Sequence, residues 1–156
     1  MVNKTLQQIH KKLLSNQKTI STAESCTAGL LSHLLTSISG SSGYFLLGVT
    51  SYSNQSKEKI LKIPARTIIK YGAVSSQVAI LMAENIRKIM HADFGLSITG
   101  IAGPFGATKN KPVGTVFIGL SAKNKNSCHK FLFSGSRQII RKKSAQEALR
   151  LLLKSL

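Results

Sequence analysis

The segment TAESCTAG, residues 22–29, sets a serine and a cysteine side by side where a short apolar run gives way to a helical pattern. At a helix start the backbone N–H groups lack intrahelical acceptors and the dipole is positive. Negative charge developing on a substrate oxygen is stabilised there. Ser25 in that position has two readings, a nucleophile or a side chain that only caps the helix. Its neighbours Thr27, Ala28 and Gly29 are small enough to let a substrate approach the backbone. Cys26 is the rival nucleophile and needs a base, but His33 would stand about 10 Å away along one helix at ~1.5 Å per residue. The chain has only five acids, Glu24, Glu58, Glu84, Asp93 and Glu147, and no Ser–His–Asp set suggests itself. A serine hydrolase of this composition would turn to a lysine base, whose ammonium must be made to lose its proton by burial or by neighbouring positive charge.

Three further segments offer partners. Tyr52 and Lys57 stand at the end of the strongest strand pattern and just beyond it, in YSNQSK. There they are either functional or an ordinary strand terminus and a solvated lysine. The loop TGIAGPFG, from Thr99 through Gly100 and Gly103, follows a strand, and glycine-rich loops of this kind cradle phosphate or carbonyl oxygen through backbone N–H groups. It is neither a P-loop nor GxGxxG. Arg137 and Arg141, four apart at a helix start, either clamp a phosphate or face solvent. Two cysteines and four scattered histidines show no ligand spacing, so neither a metal nor another cofactor is expected.

The elements that must carry these residues follow from periodicity. A helix is expected over residues 4–15, a strand over 18–23 and a second helix beginning near Ser25 with Leu31, Leu34, Leu35 and Ile38 on one face. Residues 44–52 (YFLLGVTSY) read as a strand. Ser75 or Ser76 caps a longer helix carrying Val78, Met82 and Ile86, and residues 94–99 form a strand. Residues 114–122 and 128–133 read as strands joined by a KNKN turn, and a last helix runs from Ser136. Helices and strands interleave and then give way to a hairpin, which predicts an α/β layered fold with a mixed sheet in one domain.

Composition narrows the class. The formal net charge is +17, from 22 Lys and Arg against the five acids, and it draws in anions. Seventeen of those cations are Lys, and aromatic residues rarely interleave with the basic stretches. A solvated basic surface is therefore expected rather than a nucleic-acid partner. No apolar run approaches the ~20 residues that span a bilayer, and the amino end lacks a signal-peptide core, so no membrane partner and a cytoplasmic location are expected.

Together, TAESCTAGLL, GSSGYFLLGVTSYSNQSK, YGAVSSQVA, SITGIAGPFG, KPVGTVFIGL and FSGSRQIIR resemble the carboxy-terminal domain of the competence/damage-inducible CinA proteins, in that family's order and over nearly the whole chain, residues 1–156. The stand-alone members of that family are nicotinamide-nucleotide amidohydrolases. The resemblance implies a three-layer α/β/α sandwich, usually a homo-oligomer. It implies hydrolysis of the carboxamide of nicotinamide mononucleotide, a small nucleotide substrate, to nicotinic acid mononucleotide and ammonia, without a metal. Carried onto this chain, it makes Ser25 the nucleophile, Tyr52 and Lys57 its activators and proton shuttle, and Thr99 and Arg137 substrate-binding residues. Three positions depart from the family's pattern. Ala28 stands for the first glycine of AESCTGG, Phe105 for the acid of GIAGPDG, and Ser136 for the acid of GDR. Phe105 and Ser136 motivate an alternative, a catalytically impaired member that binds a ligand or supports assembly. The +17 charge motivates another, a basic nucleic-acid-binding protein.

Overall fold

The structure is a computed structural model that describes residues 4–156; Met1 to Asn3, the start of the single domain expected over 1–156, lie outside the described residues. Its elements are α1 (Lys4–Ser15), β1 (Ile20–Glu24), α2 (Leu30–Thr36), β2 (Phe45–Thr50), α3 (Asn54–Lys59), α4 (Ala65–Tyr71), α5 (Ser76–Ile89), β3 (Phe94–Gly100), β4 (Thr115–Ala122), β5 (Lys125–Leu132) and α6 (Arg137–Ser155). One mixed sheet takes the order β2-β1-β3-β4-β5. Its first three strands are parallel, and β4 and β5 are antiparallel to their neighbours. This is the expected α/β/α sandwich.

Two hydrophobic clusters hold the layers together. On one face Leu6, Ile9 and Leu13 of α1, Leu31 and Leu35 of α2, and Ile140, Leu149 and Leu152 of α6 close over Ile20, Leu96, Ile98 and Ile118. On the other face Val78, Met82 and Ile86 of α5 meet Ala23, Leu61, Ile63 and Ile68. The sheet is stripped of bulk where α5 crosses it. A Cβ on Gly95 would lie 2.0 Å from the Ala83 carbonyl oxygen, and one on Gly119 would lie 2.4 Å from that of Ala79. Between them Ser97 donates its hydroxyl to the Ala79 oxygen at 2.6 Å. Small residues here let α5 seat directly on the sheet, and a side chain larger than glycine would displace it.

Three expectations need correction. The second helix begins at Leu30 and not near Ser25, because Ala28 and Gly29 have φ of 49° and 92°. Left-handed residues cannot sit inside a right-handed helix, so residues 25–29 form a turn. Two short helices, α3 and α4, fill the stretch between β2 and α5 where no element was expected. The β4–β5 turn is also tighter than KNKN, since pairing continues to Ala122 and Lys125. Among the described residues no helix is long and apolar enough to cross a membrane.

Candidate active site

β1 delivers Ser25 to the carboxyl edge of the sheet. Its N–H donates to the Ile98 carbonyl at 2.9 Å, one residue beyond the last β1–β3 pair, so the backbone there is held in strand geometry. The side chain is 9 % exposed, enough to be reached. α3 delivers the partner. Ser53 caps α3 by accepting from the Ser56 N–H, and one turn in, Lys57 points back beneath the end of β2 at 1 % exposure.

The Lys57 ammonium donates to the Ser25 hydroxyl at 3.2 Å, to the Ser51 carbonyl at 2.7 Å and to the Tyr52 carbonyl at 3.3 Å. Three donors meet three acceptors, and among the described residues no carboxylate pairs with it. Burial therefore dominates and lowers its pKa from 10.5 to about 8, with the Cys26 thiol opposing weakly. On losing a proton the amine keeps two N–H donors for the two carbonyls and turns its lone pair toward Ser25. That is the geometry of a general base. Cys26, next in sequence, is buried, and burial pushes its thiol up to about 11 although Arg137 and Arg141 pull it down. A thiol of that kind stays protonated and unreactive at neutral pH.

Glu24 is the residue that sequence reading passed over. Fully buried, its carboxylate accepts from the N–H groups of Gly29 (3.1 Å), Leu31 (3.0 Å) and Ser32 (2.8 Å) and from the Ser32 hydroxyl (2.7 Å). It caps α2 from five residues upstream of Gly29, with the Ser25 turn folded over it. The only available signal was a lone acid beside the serine in a chain poor in acids. This capping also corrects the oxyanion expectation, because the N–H groups at the helix start are occupied by Glu24. Among the described residues the N–H of Thr27, within the turn itself, donates to no other residue, and that of Cys26 faces only its own sulfur.

α6 brings the arginines to the same edge. Ser136, in place of the acid, caps this helix by accepting from the Ile139 N–H. Arg137 donates to the Gly103 carbonyl at 2.8 Å and to the Tyr52 hydroxyl at 2.9 Å, and Arg141 donates to the Thr27 carbonyl at 2.7 Å. The Arg141 Nε and the Thr27 hydroxyl are buried and make no hydrogen bond. Gly103 has φ of 78° and could carry no Cβ without meeting the Val113 side chain at 2.6 Å, so glycine there lets the loop bend back to Arg137.

Thus Ser25 and Lys57 stand in contact, and Arg137, Arg141 and Gly103 ring the same turn. Tyr52 reaches Lys57 only through its carbonyl, and its hydroxyl lies on Arg137. Thr99 is buried, with its hydroxyl given to the Ala73 carbonyl at 2.9 Å, and Gly100 packs its backbone against Val116. Phe105 is 88 % exposed.

Fold and site together define a three-layer α/β/α domain with a buried serine–lysine pair at the carboxyl edge of its parallel strands. The family described as the CinA C-terminal domain matches residues 2–156, and the chain belongs to that family. It is 47 % identical over 155 residues to a CinA-like protein of Endomicrobium trichonymphae, covering 99 % of this chain and 36 % of that protein. It is 48 % identical over 151 residues to a CinA-like protein of Leptospira biflexa, covering 96 % and 36 %. The chain thus spans about a third of the length of these curated relatives. Among solved structures, a competence or damage-inducible protein from Enterobacter asburiae superposes with a TM-score of 0.95 at 31 % identity, covering 99 % of this chain and 98 % of that one.

Proposed function

We propose that this chain is an amidohydrolase that converts the carboxamide of nicotinamide mononucleotide to the carboxylate and ammonia. The observation that carries the reading is the 3.2 Å contact between Ser25 and a buried lysine whose pKa is lowered to about 8. In the first half-reaction the Ser25 oxygen attacks the amide carbon while its proton passes to Lys57, and the N–H groups of Cys26 and Thr27 hold the oxyanion. Collapse breaks the C–N bond, and Lys57 returns the proton to the leaving nitrogen, which departs as ammonia. Water then attacks the acyl ester, Lys57 takes its proton, and the acid leaves with Ser25 restored. Arg137 and Arg141 supply positive charge for the nucleotide phosphate, and Tyr52 holds Arg137 rather than relaying the proton.

Release of ammonia from nicotinamide mononucleotide tests the reading. Wild type is expected to turn over and Ser25→Ala to lose about a thousandfold or more, as activated nucleophiles do. Full activity in Ser25→Ala would sink the mechanism.

A further inference from the structure

A cavity of about 640 Å³ lies far from Ser25, between β5 and the last turns of α6. It exists because β5 is an edge strand and α6 packs across β3 and β4, leaving the helix-side face of β5 uncovered. That face presents Lys125, Ser127, His129 and Phe131, alternate residues of one strand. Phe94 opens β3 at the same end of the sheet. At that end Lys125 pairs with Ala122, while at the other Phe131 is level with Val116 and Gly100, so the cavity runs along β5, three strands aside from the β1 that carries Ser25.

We propose that this cavity is a second binding site, for a nucleotide unit: a planar ring joined to a phosphate. Its size falls within the ~300–1000 Å³ of small-molecule sites. Phe94 and Leu120 give the Lys125 end an apolar wall that suits a flat ring, Phe131 lies at the other end stacked on Phe133, and Ser127 adds a hydroxyl to the lining. Lys125 and Lys154 stand on the rim from opposite sides, and among the described residues neither has an anionic partner. The one acid in the lining, Glu147, is paired with Arg150 at 3.1 Å. An anionic ligand is what such a rim accepts. A second copy of this chain, itself carrying +17, would bring more of the same charge and is disfavoured as the occupant. The sequence reading, that aromatic residues rarely interleave with the basic stretches, did not show this pairing because Phe94 meets Lys125 and Lys154 only across the fold. None of this depends on the chemistry at Ser25.

The test is an amide NMR titration of the full ¹⁵N-labelled chain with 5′-AMP and, separately, with a short oligothymidylate. Saturable shifts are expected at Lys125 to Phe131 and Leu151 to Ser155, with a Kd below about 1 mM that weakens with salt. The double variant Lys125→Glu, Lys154→Glu should lose about tenfold or more in affinity with the rest of its spectrum unchanged. Shifts with AMP mark a free nucleotide as the ligand, and shifts with the oligomer alone mark a nucleic-acid strand; either supports the site. The proposal is overturned by shifts confined to the surroundings of Ser25 and Arg137, by no saturable shift with either probe, or by undiminished binding in the double variant. It is equally overturned if polyglutamate shifts the same residues as strongly, since charge alone would then be recognised.

Discussion

If Lys57 is the base, the rate must follow its titration. With a pKa lowered from 10.5 to about 8, the amine is neutral in about one molecule in ten at pH 7, whereas an ordinary lysine would be neutral in about three in ten thousand. Burial thus multiplies the reactive form about 300-fold. The sign is fixed by the role: the base must be deprotonated, so log(kcat/KM) for ammonia release should rise with unit slope to about pH 8 and then level. Lys57→Arg should lose about a hundred- to ten-thousandfold, because a guanidinium stays protonated throughout.

Stability should also rise with pH, over a higher window. A lysine whose folded pKa is lowered binds fewer protons folded than unfolded between about pH 8 and 10.5, so stability rises with pH across that window. The buried ammonium costs about 3 kcal/mol at pH 7 and about 1 kcal/mol at pH 10. Lys57→Met should therefore be inactive, and its stability relative to wild type should be greater at neutral than at alkaline pH in paired denaturant melts. A flat rate profile between about pH 6 and 10, a limb centred near 10.5, or an active Lys57→Met would each refute the reasoning.

The other predictions concern the turn around Ser25. Glu24→Gln replaces one acceptor oxygen by a donor facing N–H groups and should cost about 2–3 kcal/mol. In steady-state kinetics it should lower kcat far more than it raises KM, as loss of position without loss of binding requires. Ala28→Gly relieves a left-handed alanine at φ 49° and should stabilise by about 0.5–1 kcal/mol, raising Tm by a few degrees. Iodoacetamide near neutral pH should leave activity intact with Cys26 unlabelled by mass spectrometry, since its thiol is raised to about 11; rapid labelling with loss of activity would return the nucleophile's role to Cys26.

Where the chain repeats a pattern locally, the sequence was legible. The apolar stripe of α5, its Ser75 cap and the apolar runs of β3 and β4 all follow from period and capping chemistry. α3 and α4, at six and seven residues, are too short to display a stripe, so the helix that carries Lys57 had no signature of its own. The turn at residues 25–29 was hidden by Ala28, which does not advertise a left-handed backbone as glycine does. At the site, the side chains of Ser25, Lys57, Arg137 and Arg141 were readable as types. Their partners are mostly carbonyl oxygens, of Ser51, Tyr52, Gly103 and Thr27, and any residue supplies one of those.

The scarcity of acids then acquires a mechanistic sense. A carboxylate beside Lys57 would favour the ammonium and raise its pKa, removing the base that the proposed mechanism needs. Glu24 is adjacent to Ser25 in sequence, yet its two oxygens are turned onto four donors at the start of α2. Its charge is used to build the turn, while Lys57 faces only neutral oxygens that serve its protonated and its neutral form alike. On the other side Arg137 and Arg141 keep the site positive, so a phosphate is attracted without any anion being available to the lysine. A site without histidine or aspartate can hold a lysine near its working pKa in this way, by where it places the one acid it cannot do without.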